Sequence, residues 1–259
     1  MSVDVKDKVC VVTGSARSIG LAVAEMYCEL GARVALIDLN PEVREQARRL
    51  ASGGRSVRGY AVDITDREAV FACFRNVTAE LGPVFALVNV AGLVDQQPFE
   101  GITAERLDQV MRVNVGGTVF CSQAALSSMK TLGDGRIINF SSKSGKTGSA
   151  LMAAYSAAKG AIIALTQAMA YEYADQQIKI NCVCPGIVED TGVWSSVSKG
   201  YVENLKMPVE EVVKKFTAKV PLGRLCRIAD IVTFVRFLTV DGGYCTGQAF
   251  NITGGREMH

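Results

Sequence analysis

Two kinds of apolar segment alternate along the chain. Short, nearly continuous apolar runs at 9–13, 33–38, 57–62, 85–89, 136–140, 179–183 and 249–253 read as strands. Runs of that kind, with no polar alternate face, suit a sheet covered on both sides. Longer stretches between them, at 19–30, 41–50, 67–81, 103–131, 151–173, 202–217 and 229–238, space their apolar residues at the helical period. Strand followed by helix, repeated, is the rhythm of βαβ units, so the expected fold is α/β: a Rossmann-like, doubly wound, seven-stranded parallel sheet. The segment at about 189–219 breaks the rhythm with polar and helical stretches and is expected to form a lid over the active cleft.

Composition narrows the classes. The 259 residues are 49% apolar, enough for a large core, and no Pro/Ser/Gly-rich linker, charge block or repeat divides them, so one domain over 1–259 is expected. A net charge of +2 with interspersed signs disfavours nucleic acid and anionic membrane as partners. Eight cysteines form no Cys-x-x-Cys pair and fall mostly in apolar periodic segments, as buried free thiols do. Without a signal peptide or an apolar run of about 18 residues, a cytoplasmic protein is expected. His259, the only histidine, ends the chain. Ser-His-Asp hydrolysis and histidine-bound zinc are thereby disfavoured, and no metal is expected.

The chemistry falls to other residues. Tyr155 and Lys159 are four apart in a helical segment, on one face, and Ser142 follows the strand at 136–140. Open α/β sheets carry their chemistry at such strand ends. A phenol titrates near ~10, and bringing it to about 7 takes roughly 4 kcal/mol, for which a neighbouring ammonium and a bound pyridinium are the expected sources. Gly14 and Gly20 punctuate the first strand-to-helix turn, where a helix N-terminus favours phosphate and Arg17 adds positive charge. The spacing departs from Gly-x-Gly-x-x-Gly. Asp38, ending the second strand eighteen residues after Gly20, is placed to accept from ribose hydroxyls and to repel an added 2′-phosphate, favouring NAD over NADP.

Thr13-Gly-x3-Ser18-Ile-Gly20, Asn89-Val-Ala-Gly92, Asn114, Ser142, Tyr155-x3-Lys159 and Pro185-Gly186 together resemble the short-chain dehydrogenase/reductase family across essentially the whole chain. The resemblance implies a catalytic set: Ser142 bonding the substrate oxygen, Tyr155 as acid/base, Lys159 lowering its pKa and holding the nicotinamide ribose, and Asn114 positioning a relay water. It implies that NAD is held by Gly14, Arg17, Ser18, Ile19, Gly20, Asp38 and Leu39. Asp63 and Ile64 would flank adenine, Asn89, Ala91 and Gly92 would line the cofactor, and Pro185, Gly186 and Ile187 or Val188 would lie by the carboxamide. A homotetramer is also implied. Two departures stand out: Ser18 replaces the usual middle glycine, and Val90 replaces an asparagine.

The stretches 142–149, 219–224 and 244–255 resemble polyol dehydrogenases within that family, acting on sugar alcohols and their phosphates. The implied reaction is NAD-dependent, reversible oxidation of a secondary hydroxyl to a ketone. Lys143 and Lys146 after Ser142 are candidates for a substrate phosphate, or else solvated loop residues; Glu189, Asp190 and Trp194 in the lid are candidates for a sugar. The alternatives are a carbonyl reductase of another class, such as a 3-oxoacyl thioester reductase, and a non-catalytic dinucleotide-binding protein.

Overall fold

The computed structural model of the chain describes residues 2–189, 191 and 208–259. Its centre is a seven-stranded sheet: β1 (Val9–Thr13), β2 (Arg33–Asp38), β3 (Val57–Ala61), β4 (Val84–Asn89), β5 (Gly135–Phe140), β6 (Ile178–Pro185) and β7 (Ala249–Ile252), in the order β3-β2-β1-β4-β5-β6-β7. Every pairing is parallel. The order reverses between β1 and β4, so a crevice opens beyond the paired ends Thr13 and Asn89. Helices α1 (Ser18–Glu29), α2 (Val43–Ala51), α3 (Arg67–Leu81), α4 (Ala104–Met111), α5 (Gly117–Leu132), α6 (Lys143–Thr147), α7 (Ala153–Tyr173), α8 (Val209–Thr217) and α9 (Ile228–Val240) complete the described elements.

Strand periodicity sorts the core into two layers. Cys10 and Val12 of β1 face one way, with Leu36, Val88 and Ile138, onto α1, α2 and α9. Val9 and Val11 face the other, with Ile37, Leu87 and Ile137, onto α3, α5 and α7. Leu36, Ile37, Leu87, Ile137 and Ile138 are fully buried, each worth roughly 1.5–3 kcal/mol of transfer free energy. Within the first layer, the buried Tyr27 hydroxyl of α1 pairs with Thr239 Oγ1 of α9 at 2.8 Å.

The strands and most helices fall where the apolar pattern places them, with two differences. The expected helix over 103–131 is interrupted by a wider π-type turn, Arg112–Gly116, between α4 and α5. Local pattern carries no mark of it, because the turn is held by the clamped Asn114 side chain. The short helix α6 was not expected, since Lys-Ser-Gly-Lys-Thr has no amphipathic period. It exists because Ser142 caps it, accepting from Ser144 N at 3.1 Å, and because it lies flat on α7. Of the helical stretch expected at 202–217, α8 is the described part; 202–207 lie outside the described residues.

Candidate active site

A cavity of about 810 Å³ runs along the carboxyl ends of the strands. At one end the turn after β1 meets the turn after β4. A Cβ on Gly14 would stand 2.8 Å from Ala91 Cα, and one on Gly20 would stand 2.2 Å from the Gly14 carbonyl oxygen. Side chains at either position are sterically shut out, which keeps the backbone open to a ligand. Ala91 N donates to Thr13 Oγ1 at 3.2 Å, tying the two turns together. Ser18 takes the left-handed conformation at φ 54°, a geometry that suits glycine, the residue the family resemblance leads one to expect there.

Asp38 closes this end. Its Oδ2 accepts from Ala16 N and its Oδ1 from Asn40 N, both at 2.9 Å, so the carboxylate is held at the cavity wall. Arg17, Ser18, Ile19, Leu39, Asp63 and Ile64 line the same end, while Pro185, Gly186 and Val188 line the middle. A cradle that side chains would fill, beside a fixed carboxylate, fits the phosphates and ribose of a dinucleotide.

The acid/base cluster sits at the far side of the middle. Ser142, Tyr155 and Lys159 all line the cavity. Helix α7 brings Tyr155 and Lys159 to one face, and the end of β5 supplies Ser142. The two segments are locked: Ser141 Oγ donates to the Lys159 carbonyl at 2.7 Å, and a Cβ on Gly145 would stand 2.6 Å from the Lys159 carbonyl carbon. The Ser142 hydroxyl lies near enough to the Tyr155 phenol to favour its ionised form.

Charge in this cluster differs from the expectation. Burial pushes the Tyr155 phenol up to about 12, with the Ser142 hydroxyl pulling the other way. Lys159 was expected to lower it, yet its Nζ lies 5.6 Å from the Tyr155 ring centroid and donates to the Phe140 carbonyl at 2.8 Å. Burial in turn depresses the Lys159 ammonium to about 8, opposed by the nearby Cys182 and Cys184.

Three expected site residues stand elsewhere. Asn114 is fully buried behind the wall: its Nδ2 donates to the carbonyls of Leu93 at 2.8 Å and Val110 at 2.9 Å, and its Oδ1 accepts from Leu93 N at 3.3 Å. It braces the Gly92–Leu93 turn. Asn89 is turned into the sheet, where its Nδ2 donates to Ser122 Oγ at 3.2 Å and Asn139 Oδ1 at 2.9 Å, so it supports the cavity from below. Lys146 does not line the cavity and lies instead within electrostatic range of Cys182 and Cys184. Lys143 does line it, and Asp190 and Trp194 lie outside the described residues.

Sequence reasoning missed Lys215, Phe216 and Lys219 of α8 and its C-terminal extension, and Arg256 beyond β7, which line the cavity. The i, i+4 pair Lys215 and Lys219 beside an apolar stripe was the available signal. Helix α8 docks through Val212 and Phe216 onto Leu225, with Ile187 packed against them. Among the described residues no group of three or more His, Cys, Asp or Glu could hold a metal ion, and no helix is long and apolar enough to cross a membrane.

A parallel sheet with a dinucleotide crevice and a Ser-Tyr-Lys cluster at its rim defines a class, and the chain belongs to the short-chain dehydrogenase family, whose pattern matches residues 8–201. It is 37% identical to 2-(S)-hydroxypropyl-CoM dehydrogenase 3 of Xanthobacter autotrophicus over 257 residues, 98% of each chain. Among solved structures it resembles sorbitol-6-phosphate 2-dehydrogenase from Erwinia amylovora, with a TM-score of 0.93 and 34% identity over 96% of this chain and 100% of that one. It also resembles an NAD+-bound xylitol dehydrogenase, with a TM-score of 0.93 and 31% identity over 98% of this chain and 100% of that one.

Proposed function

We propose that the chain is an NAD-dependent dehydrogenase that reversibly oxidises a secondary hydroxyl of a polyol, sugar alcohol or sugar phosphate to a ketone. The observation that carries this reading is the shared cavity. Asp38 and the Gly14–Gly20 turn stand at one end, and Ser142, Tyr155 and Lys159 stand together further along. Likeness to sorbitol-6-phosphate and xylitol dehydrogenases supports the substrate class.

NAD, when bound, supplies the two-electron acceptor and a positively charged ring. The chain supplies position and proton transfer. Ser142 orients the substrate oxygen through a hydrogen bond, and Tyr155 removes the hydroxyl proton during oxidation and returns it during reduction. Lys159 holds positive charge at the floor of the site and binds ribose hydroxyls. Asn114 fixes the Gly92–Leu93 turn against which that lysine stands. Asp38 reads the adenosine ribose, and its charge disfavours a 2′-phosphate. The protein works as a cytoplasmic homotetramer, consistent with its eight free cysteines and with exposed Phe99, Tyr171 and Tyr244.

The test is NAD reduction by a panel of tetritols, pentitols, hexitols and their phosphates, run beside NADPH oxidation by a 3-oxoacyl thioester. Turnover of a polyol or its phosphate with NAD is expected, lost in Tyr155→Phe while NAD still binds. Turnover of the thioester alone would replace the reading by a reductase. NAD binding with no turnover of either would make the chain a binding protein.

A further inference from the structure

One part of the cavity lining is cationic. Lys143, Lys215, Lys219 and Arg256 line it there, and the two carboxylates among the described lining residues, Asp38 and Asp63, belong to the adenosine end. These cations come from three separate parts of the chain, brought together by tertiary structure. Lys143 follows Ser142 directly in α6. Lys215 and Lys219 are one turn apart beside the docked Phe216. Arg256 arrives from the segment after β7. Gly254, at φ 63°, presses on the 220–222 stretch so closely that a Cβ would stand 2.7 Å from Val220 Cγ1, and Leu222 N donates to its carbonyl at 3.1 Å.

Arg256 is held firmly. Its guanidinium lies 5.6 Å from the Phe216 ring centroid, and its side chain is only 14% exposed. Its one ion-pair partner among the described residues is Glu257, at 3.3 Å, which also faces Lys143 at 4.0 Å. The Glu257 side chain is 7% exposed, and Thr253 and Asn251 bind its backbone, so this carboxylate is structural. Lys143 and Arg256 thus share one carboxylate, and the charges of Arg256 and Lys219 repel that of Lys143, which lowers the Lys143 pKa after the larger effect of burial. Three cations against one anion in a partly desolvated pocket leave an uncompensated positive field aimed into the cavity.

We infer that Arg256, Lys143 and Lys219 form a subsite for a tetrahedral oxyanion on the substrate, a phosphate ester or a sulfonate. This deepens the proposed function and rests on its placing of the reacting carbon at Tyr155. Arg256 supplies the fork-shaped donor pair, Lys143 a point charge next to Ser142, and Lys219 closes the site from the lid side. Glu257 is a positioning residue that keeps Lys143 and Arg256 apart from solvent and near each other.

Two readouts test it. With saturating NAD, kcat/KM is compared for sorbitol, sorbitol 6-phosphate and 2-hydroxypropane-1-sulfonate in the wild type, Arg256→Gln, Arg256→Lys and Lys219→Gln. The wild type is expected to prefer an anionic member, phosphate or sulfonate naming the source. Arg256→Gln should lower that preference about tenfold or more, mainly through a raised KM for the anionic substrate, with a much smaller loss on sorbitol and partial recovery in Arg256→Lys. Equal losses on neutral and anionic substrates, or a wild-type preference for sorbitol, would overturn the subsite. Separately, calorimetry of inorganic phosphate into the NAD-saturated protein should show binding that Arg256→Gln and Lys219→Gln weaken; binding unaffected by both variants also overturns it. Should no alcohol be oxidised, the proposed reaction fails while the phosphate titration still decides the subsite.

Discussion

The Lys159 ammonium donates to the Phe140 carbonyl at 2.8 Å, so the lysine beside Tyr155 is fixed by the last residue of β5 and not by the phenol. Its position is set by the sheet before any ligand arrives. Because that ammonium is not bonded to Tyr155, burial leaves the phenol at about 12. Oxidation needs phenolate, whose fraction grows tenfold per pH unit below the pKa, whereas reduction needs phenol. The rate of alcohol oxidation should therefore rise with pH from neutrality upward, and carbonyl reduction should stay level and fall only in strong alkali. Initial rates in both directions from pH 6 to 10 check this. Tyr155→Phe should abolish turnover in both directions, and a variant that kept the wild-type rates and pH profile would remove Tyr155 as the base.

Gly92 lies where Asn114 and Lys159 converge. A Cβ there would be 2.8 Å from Asn114 Oδ1 and 3.3 Å from Lys159 Nζ. Gly92→Ala must displace Asn114, which has no free donor or acceptor to give up, at a cost of about 1–3 kcal/mol. The expected variant is folded, with kcat lowered at least about tenfold, NAD affinity weakened, and circular dichroism unchanged. Activity within twofold of the wild type would show that the wall yields there.

Ser18 supports a second backbone prediction. Its φ of 54° costs a non-glycine residue roughly 1–2 kcal/mol. Ser18→Gly should raise stability by about 1 kcal/mol, a Tm gain of about 2–4 °C for a chain of this size. Ser18→Val should lower it by more. A thermal melt in which glycine destabilises would mean that the serine hydroxyl holds the turn.

How far the sequence foretells this site depends on whether a feature is local. Tyr155 and Lys159 are legible because four residues on a helix make one face, and Asp38 because it ends a strand just past a glycine turn. Ser18 is legible as a departure, and its left-handed backbone explains why glycine is usual there. Nothing in the sequence says that the side-chain amides of Asn89 and Asn114 turn to Asn139, Leu93 and Val110. The turn at Arg112–Gly116 is invisible for the same reason. Arg256 reaches Lys143 across more than a hundred residues, through β7 and a glycine turn, and spacing holds no trace of such a meeting.

Beneath the site a polar chain crosses the sheet. Asn89 Nδ2 donates to Asn139 Oδ1, Asn139 Nδ2 donates to Thr166 Oγ1 at 3.0 Å, and Thr166 Oγ1 donates to the Ile162 carbonyl at 2.7 Å. Asn139→Ala leaves Asn89 with Ser122 as its remaining amide partner and opens a small cavity. The expected loss is about 2–4 kcal/mol in denaturant unfolding, with the m-value unchanged. A loss below about 0.5 kcal/mol would mean that water replaces the asparagine without penalty.

Lys159 links stability to pH with a definite sign. Burial holds its folded pKa at about 8, below the ordinary 10.5, so between those values the unfolded chain binds more protons than the folded one. Stability then rises with pH across that window, and below pH 8 the buried ammonium carries its full penalty, about 3 kcal/mol from a shift of that size. Lys159→Met keeps much of the volume and removes the charge, although it gives up the bond to Phe140. The variant should be catalytically dead, more stable than the wild type at pH 7, and lose that advantage as pH passes 10. Urea unfolding of both proteins at pH 7 and pH 10 measures the difference directly. A methionine variant less stable at pH 7 would show that the Phe140 bond outweighs the desolvation of the charge.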